Sequence, residues 1–278
     1  MNATLRLAGT AVAIAAFATQ GHAQSKEELE LAGRLYERAG LDAQVKSIPA
    51  EFEQGVADYR GNAPDETIAA LAEAGKRSFA PELLRGEIVR TLAQKLAAAD
   101  VRQVLAWLEG EVGRRVVLAE EGAVGSMTQE NMNAFLESEK GKPANPKRAA
   151  LLAELVKATN AVEIGASFIE AISLGVAVGL DATQPADKRI GVPGLRARLR
   201  AAVPPQGLRA DLSASLPAMY GYMYRGVADA DLAAYAKFND SALGQRYNEA
   251  VTLALVKALG GASVRVGDML ASPKKEKI

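Results

Sequence analysis

The chain has 278 residues with 33 basic and 33 acidic side chains, one histidine and no cysteine, and its formal net charge is zero. A balanced charge gives no field to draw in nucleic acid or anionic lipid. Without cysteine there is no disulfide framework and no thiolate metal site, so a hydrophobic core must hold the fold, and a chain of this length can bury one or two.

The N-terminus reads as a cleavable signal peptide over residues 1–23. Arg6 precedes an apolar run from Leu7 to Ala18 that only Thr10 interrupts, and small residues Gly21 and Ala23 follow. The run is too short and too rich in alanine for a stable membrane span. The expectation is therefore an exported protein, periplasmic or secreted. Cleavage near Ala23 removes His22, the only histidine, and leaves one acidic residue in excess. Ser-His-Asp and Cys-His nucleophiles and imidazole metal sites are then out of reach, and no catalytic, cofactor or metal site is expected.

From residue 24 onward the chain predicts an all-α fold, being rich in alanine, leucine and charged helix formers and lacking alternating β-branched runs. Ser25 with Glu28 makes a capping box, and Leu31, Ala32, Leu35, Tyr36 and Ala39 form one apolar stripe that Gly40 closes. Further on, Ile88, Leu92 and Leu96 share a face, with Gly86 expected to interrupt their helix. The next helix opens with Asp100 in its first turn, where a carboxylate meets the positive end of the macrodipole, and Val101, Val104, Leu105, Leu108 and Val112 turn to the core. Residues 138–147 are polar, charged and proline-bearing, as a linker would be.

A second helical set starts at Asn145-Pro146, a cap followed by proline at the first helical position, with Leu151, Leu152, Leu155, Val156 and Thr159 on its stripe and Asn160 where Gly40 stood. Ala161 to Leu180 is a near-continuous apolar stretch with Gly175 and Gly179 at the spacing of paired membrane helices. Glu163 and Glu170 weigh against insertion, so an amphipathic core helix is the better reading. The proline- and glycine-bearing stretch from Ile190 to Pro205 predicts a loop or a broken helix, with Arg196, Arg198 and Arg200 on a solvated face. Met219, Met223 and Val227 then repeat the stripe of Ile88, Leu92 and Leu96, with Pro217 expected to interrupt where Gly86 does. Residues 271–278 form a charged tail, in which Ser272-Pro273-Lys274-Lys275 matches a nucleophile motif by chance.

These correspondences amount to an internal duplication: residues 24–137 and 148–270 read as two homologous helical repeats. Early positions are offset by 120, as Asn160 is from Gly40, and later ones by 131, as Gly244 is from Gly113. The later register pairs Asp100 with Asp231, Trp107 with Phe238, Gly113 with Gly244 and Arg115 with Arg246. A glycine within a helix costs roughly 1 kcal/mol against alanine, so its presence in both copies points to a close approach or a shared bend. Glu111 can pair with Arg115 and Glu249 with Arg246 at helical spacing.

Leu232, Tyr235, Phe238, Ser241, Gly244, Gln245 and Arg246 are similar to the signature of a bacterial secreted family, Domain of Unknown Function two-thousand-fifty-nine. There an aromatic leads to Ser-Pro and then to Gly, Gln or Lys, and a basic residue; here Ala242 stands for the proline. The resemblance implies a helical exported domain and carries no catalytic residue.

The functional expectation is a binding or scaffolding module of the envelope. A groove between the halves would take an envelope protein, an unfolded chain or an amphiphile, with Met219, Tyr220, Tyr222, Met223, Tyr224 and Arg246 as partner-binding candidates. No nucleic-acid partner is expected. Two alternatives stand beside it: a carboxylate-dependent cell-wall glycan hydrolase using pairs such as Glu109 and Glu111 or Glu120 and Glu121, and a membrane-associated helical protein.

Overall fold

The computed structural model describes residues 25–143 and 145–271. The expected signal peptide and the nucleophile-like motif of the tail lie outside the described residues. Among those described, every regular element is helical: α1 (Lys26–Arg38), α2 (Leu41–Ala57), α3 (Asp65–Ser78), α4 (Pro81–Lys95), α5 (Ala98–Leu108), α6 (Glu111–Ala123), α7 (Gln129–Glu139), α8 (Pro146–Ala158), α9 (Ala161–Ala182), α10 (Gly191–Ala202), α11 (Pro205–Met223), α12 (Asp229–Asp240) and α13 (Ala242–Ala271), with a 3-10 turn at Ala186–Lys188.

Local chemistry sets the boundaries. Both hydrogen bonds of the Ser25–Glu28 capping box start α1, and the Asn145 side chain accepts the Arg148 N–H at the start of α8. Gly40 and Asn160 separate α1 from α2 and α8 from α9 in the same left-handed conformation, with φ of 68° and 55°. The starts of α1 and α8 and of α2 and α9 are 120 residues apart, and those of α5 and α12 and of α6 and α13 are 131 apart.

Two local expectations are corrected. Gly86 lies within α4 and Pro217 within α11, and neither helix breaks there. Tertiary packing outweighs the single lost hydrogen bond at Pro217, since Leu216 and Tyr222 of that helix are buried. The stretch from Ile190 to Pro205 is a broken helix rather than a loop: α10 runs through it and stops at Val203, and α11 begins on Pro204-Pro205. Pro193 is accommodated in the first turn of α10, where N–H groups have no acceptor in the helix. The Asp181 carboxylate accepts the Ile190 and Gly191 N–H groups at 3.0 Å each and holds that start in place.

The halves share one core. Phe52, Leu71, Phe79, Leu92 and Leu105 of the first half lie in one buried cluster with Ala254, Ala258, Leu259 and Val266 of α13. Full burial of a leucine-sized side chain contributes roughly 1.5–3 kcal/mol, and this cluster supplies what disulfides do not. α13 also packs along α9. Gly267 leaves room for Val178, Gly179 for Leu71 and Val266, and Gly175 for the Phe52 ring, so the paired glycines of α9 serve core packing. α9 and α13 are long and apolar enough to cross a membrane by length and composition. The acids of α9 are paired sideways: Glu163 accepts two hydrogen bonds from Arg209 at 2.7 and 2.8 Å, and Glu170 lies 3.4 Å from Arg196 and 3.5 Å from Arg200.

Candidate functional site

The contact between the halves is reciprocal. α6 of the first half packs on α12 of the second, and α13 of the second packs on α5 of the first. At its centre the Trp107 and Phe238 rings stack 4.2 Å apart and 13° from parallel, and Tyr235 also stacks with Trp107 at 5.5 Å. On either side Arg115 donates to both oxygens of Asp231, at 2.7 and 2.9 Å, and Arg246 donates to both oxygens of Asp100, at 2.9 Å each. Each aspartate is thus more than a helix start: its arginine holds the carboxyl below the usual carboxylate range by hydrogen bonding. Arg115 also reaches Glu111 at 2.6 Å, as helical spacing allows. Arg246 does not use Glu249; the cross-half Asp100 takes it instead.

The two glycines of the repeated pattern have a shared cause. α6 folds back over the end of α5 so closely that a Cβ on Gly113 would stand 2.3 Å from the Trp107 carbonyl oxygen. At Gly244 the same atom would stand 2.1 Å from the Phe238 carbonyl oxygen. Gly110 and Ser241 turn these two corners in the same extended conformation, and Ser241 Oγ also accepts the Gly244 N–H at 3.1 Å.

Beside this contact lies a carboxyl group in a tyrosine cage. Tyr224 Oη donates to Glu120 Oε1 at 2.6 Å and Tyr235 Oη donates to the same atom at 3.0 Å. Burial raises the Glu120 pKa, outweighing the two hydrogen bonds that lower it. Burial and the nearby Glu120 charge push Tyr224 and Tyr235 well above the ordinary phenol range, and Tyr220 is raised to about 12, mainly by burial. Tyr220 shares a 2.9 Å hydrogen bond with Thr159. The groups meeting Glu120 are phenols, whereas glycoside cleavage needs a second carboxylate across the scissile bond. Of the other acids considered for that chemistry, Glu109 faces Arg34 and Arg38, Glu111 faces Arg115, and Glu121 lies over Gly40.

The tyrosines and methionines read from the sequence as partner-binding candidates are drawn into the fold. Tyr222 and Tyr224 are buried, and Tyr222 donates to the Ser126 carbonyl at 3.0 Å while its ring meets the edge of Phe135. Tyr220 and Met223 pack on a second core cluster built around Leu155, Tyr224 and Leu232, and Met219 is half-buried. Arg246 is not among them; it belongs to the ion pair with Asp100.

An open groove lies elsewhere, between α8 and α12, both in the second half. It has a volume of about 440 Å³, and Leu151, Glu154, Ala233, Ala236, Lys237, Asp240 and Ser241 line it. Another, of about 470 Å³, runs between α2 and α3 beside Lys46, Pro49, Glu53 and Glu73. No group of acidic or histidine side chains suited to a metal ion occurs among the described residues. Sequence reasoning missed the α8–α12 groove, whose signal lies in comparing Glu154 and Ala233 with Arg34 and Arg102 across the two halves. No protein family, no curated protein and no solved structure matches the chain.

Proposed function

We propose that the protein is an exported helical binding or scaffolding module of the bacterial envelope, and that it engages its partner through the groove between α8 and α12. The observation that carries this reading is the groove itself. Its floor is Ala233, Ala236 and Leu151, and Glu154, Lys237 and Asp240 at its rim have no ion pair among the described residues. The hydrolase alternative has less support, since Glu109 and Glu111 are engaged by arginines and Glu120 by phenols. Export rests on the sequence of residues 1–23, and the resemblance of Leu232 to Arg246 to Domain of Unknown Function two-thousand-fifty-nine is part of the same reading.

The test is affinity capture from envelope extracts with the intact protein, compared with Ala233→Arg, which fills the groove, and Leu118→Ser on the exposed face of α6. The expected result is a partner set lost with Ala233→Arg and kept with Leu118→Ser. Equal recovery by all three proteins would remove the groove from the account.

A further inference from the structure

The two halves fill the same place differently, and that difference identifies what the groove accepts. At the register of 120 for α1 and α8, and of 131 for α5 and α12, the groove residues Glu154, Ala233, Ala236 and Asp240 correspond to Arg34, Arg102, Leu105 and Glu109, and Ala158, one turn beyond Glu154, corresponds to Arg38. In the first half the seam is occupied by its own side chains. Arg34 and Arg38 converge on Glu109 at 3.0 and 3.4 Å, Arg102 bonds Glu27, and Leu105 is buried. In the second half the acid survives as Asp240, but both arginines that faced its counterpart are gone: one position is Glu154 and the other Ala158. The third arginine is replaced by the exposed Ala233, which leaves that part of the seam uncovered, while Ala236 is as buried as Leu105.

We infer that the α8–α12 groove takes an arginine- or lysine-bearing peptide segment of a partner protein. The aliphatic stem of the incoming side chain would lie on Ala233 and Leu151, as long cationic side chains do on apolar surface. Its cationic head would meet Asp240 and Glu154, supplying from outside the cation that Arg34 supplies in the first half. Lys237 shares the rim, so two acids to one base leave the groove net negative. This inference rests on the groove reading above and adds the chemistry of the occupant.

The test titrates the full-length protein into a fluorescent alanine-based peptide bearing two arginines, with the same peptide carrying glutamine or glutamate at those positions. Saturable binding of the arginine peptide is expected, with about tenfold weakening for Asp240→Asn or Glu154→Gln, the loss of one charge-assisted contact. Ala233→Arg should abolish it, and thermal unfolding of each variant checks that the fold is intact. Binding that is absent, or equal for the arginine and glutamine peptides, or stronger for glutamate, overturns the basic-segment inference. If capture of partners still depends on Ala233 in that case, the groove survives as the binding site and only its stated chemistry falls.

Discussion

The seam between α1 and α5 and the seam between α8 and α12 occupy matching places, yet one is closed by ion pairs and the other is open. In the first, Arg34, Arg38 and Arg102 of the two helices reach Glu109 and Glu27. In the second, the bond between the helices has moved to one end. There Arg148 donates to the Val227 and Tyr224 carbonyls at 3.0 and 2.6 Å and to the Asp229 carboxylate. With the polar connection concentrated at the helix start, no ion pair spans the middle of this seam among the described residues.

The largest effect should come from the two corners the halves have in common. Gly113→Ala and Gly244→Ala each force a Cβ against a carbonyl oxygen, at 2.3 and 2.1 Å, and each should cost about 3–5 kcal/mol in chemical denaturation. A small loss in one half alone would break the correspondence at that corner. Next comes Arg148→Ala, which strands two carbonyls and a half-buried carboxylate; a loss of about 2–3 kcal/mol is expected. Were the α8–α12 seam held along its length, that loss would be much smaller.

The carboxyl groups at the contact between the halves respond to pH in two opposite senses. Burial raises Glu120 in the folded state, so the folded protein favours its protonated form. That contribution is complete below the ordinary glutamate range and is lost as pH rises through the raised value. Glu120→Gln should flatten this decline in a stability-versus-pH series. Asp100 and Asp231 are lowered by their arginines, so they stabilise above the ordinary aspartate range and lose that contribution as pH falls. Asp100→Asn and Asp231→Asn should each cost a small and matching amount of stability at neutral pH that disappears on the acid limb, since both are bidentate contacts to half-exposed arginines. Unequal losses would show that the reciprocity is geometric only. The smallest effect belongs to Glu154→Arg, which rebuilds the first half's pairing in the second and should change the midpoint of thermal unfolding little while closing the groove.

Much of the fold is legible in the sequence because its signals are local. A hydroxyl before Glu28, an amide before Pro146 and a residue able to turn left-handed at Gly40 or Asn160 act within one helical turn. The apolar stripes likewise place Leu35, Ile88, Val104 and Leu155 inside. The site is less legible because its determinants are distant. The partner of Arg246 lies 146 residues away, outside any helical spacing rule, and Glu120 becomes special only when Tyr224 and Tyr235 arrive from other helices. Tyr222 could serve an interface or a core on composition alone, and the Phe135 ring and the Ser126 carbonyl decide for the core. The groove had a readable signal, the replacement of Arg34 and Arg102 by Glu154 and Ala233 at the repeat register, but an alanine acquires meaning only once its neighbours are known.

The central claim is that the second half's seam receives a partner and the first half's does not. Site-specific photo-crosslinking in cells, with the reactive side chain placed at Ala233 in one protein and at the matching Arg102 in another, tests it most directly. A discrete adduct from position 233, none from position 102, and its loss on adding Glu154→Arg are the predicted result. Adducts of equal yield from both positions, or from position 102 alone, would contradict it.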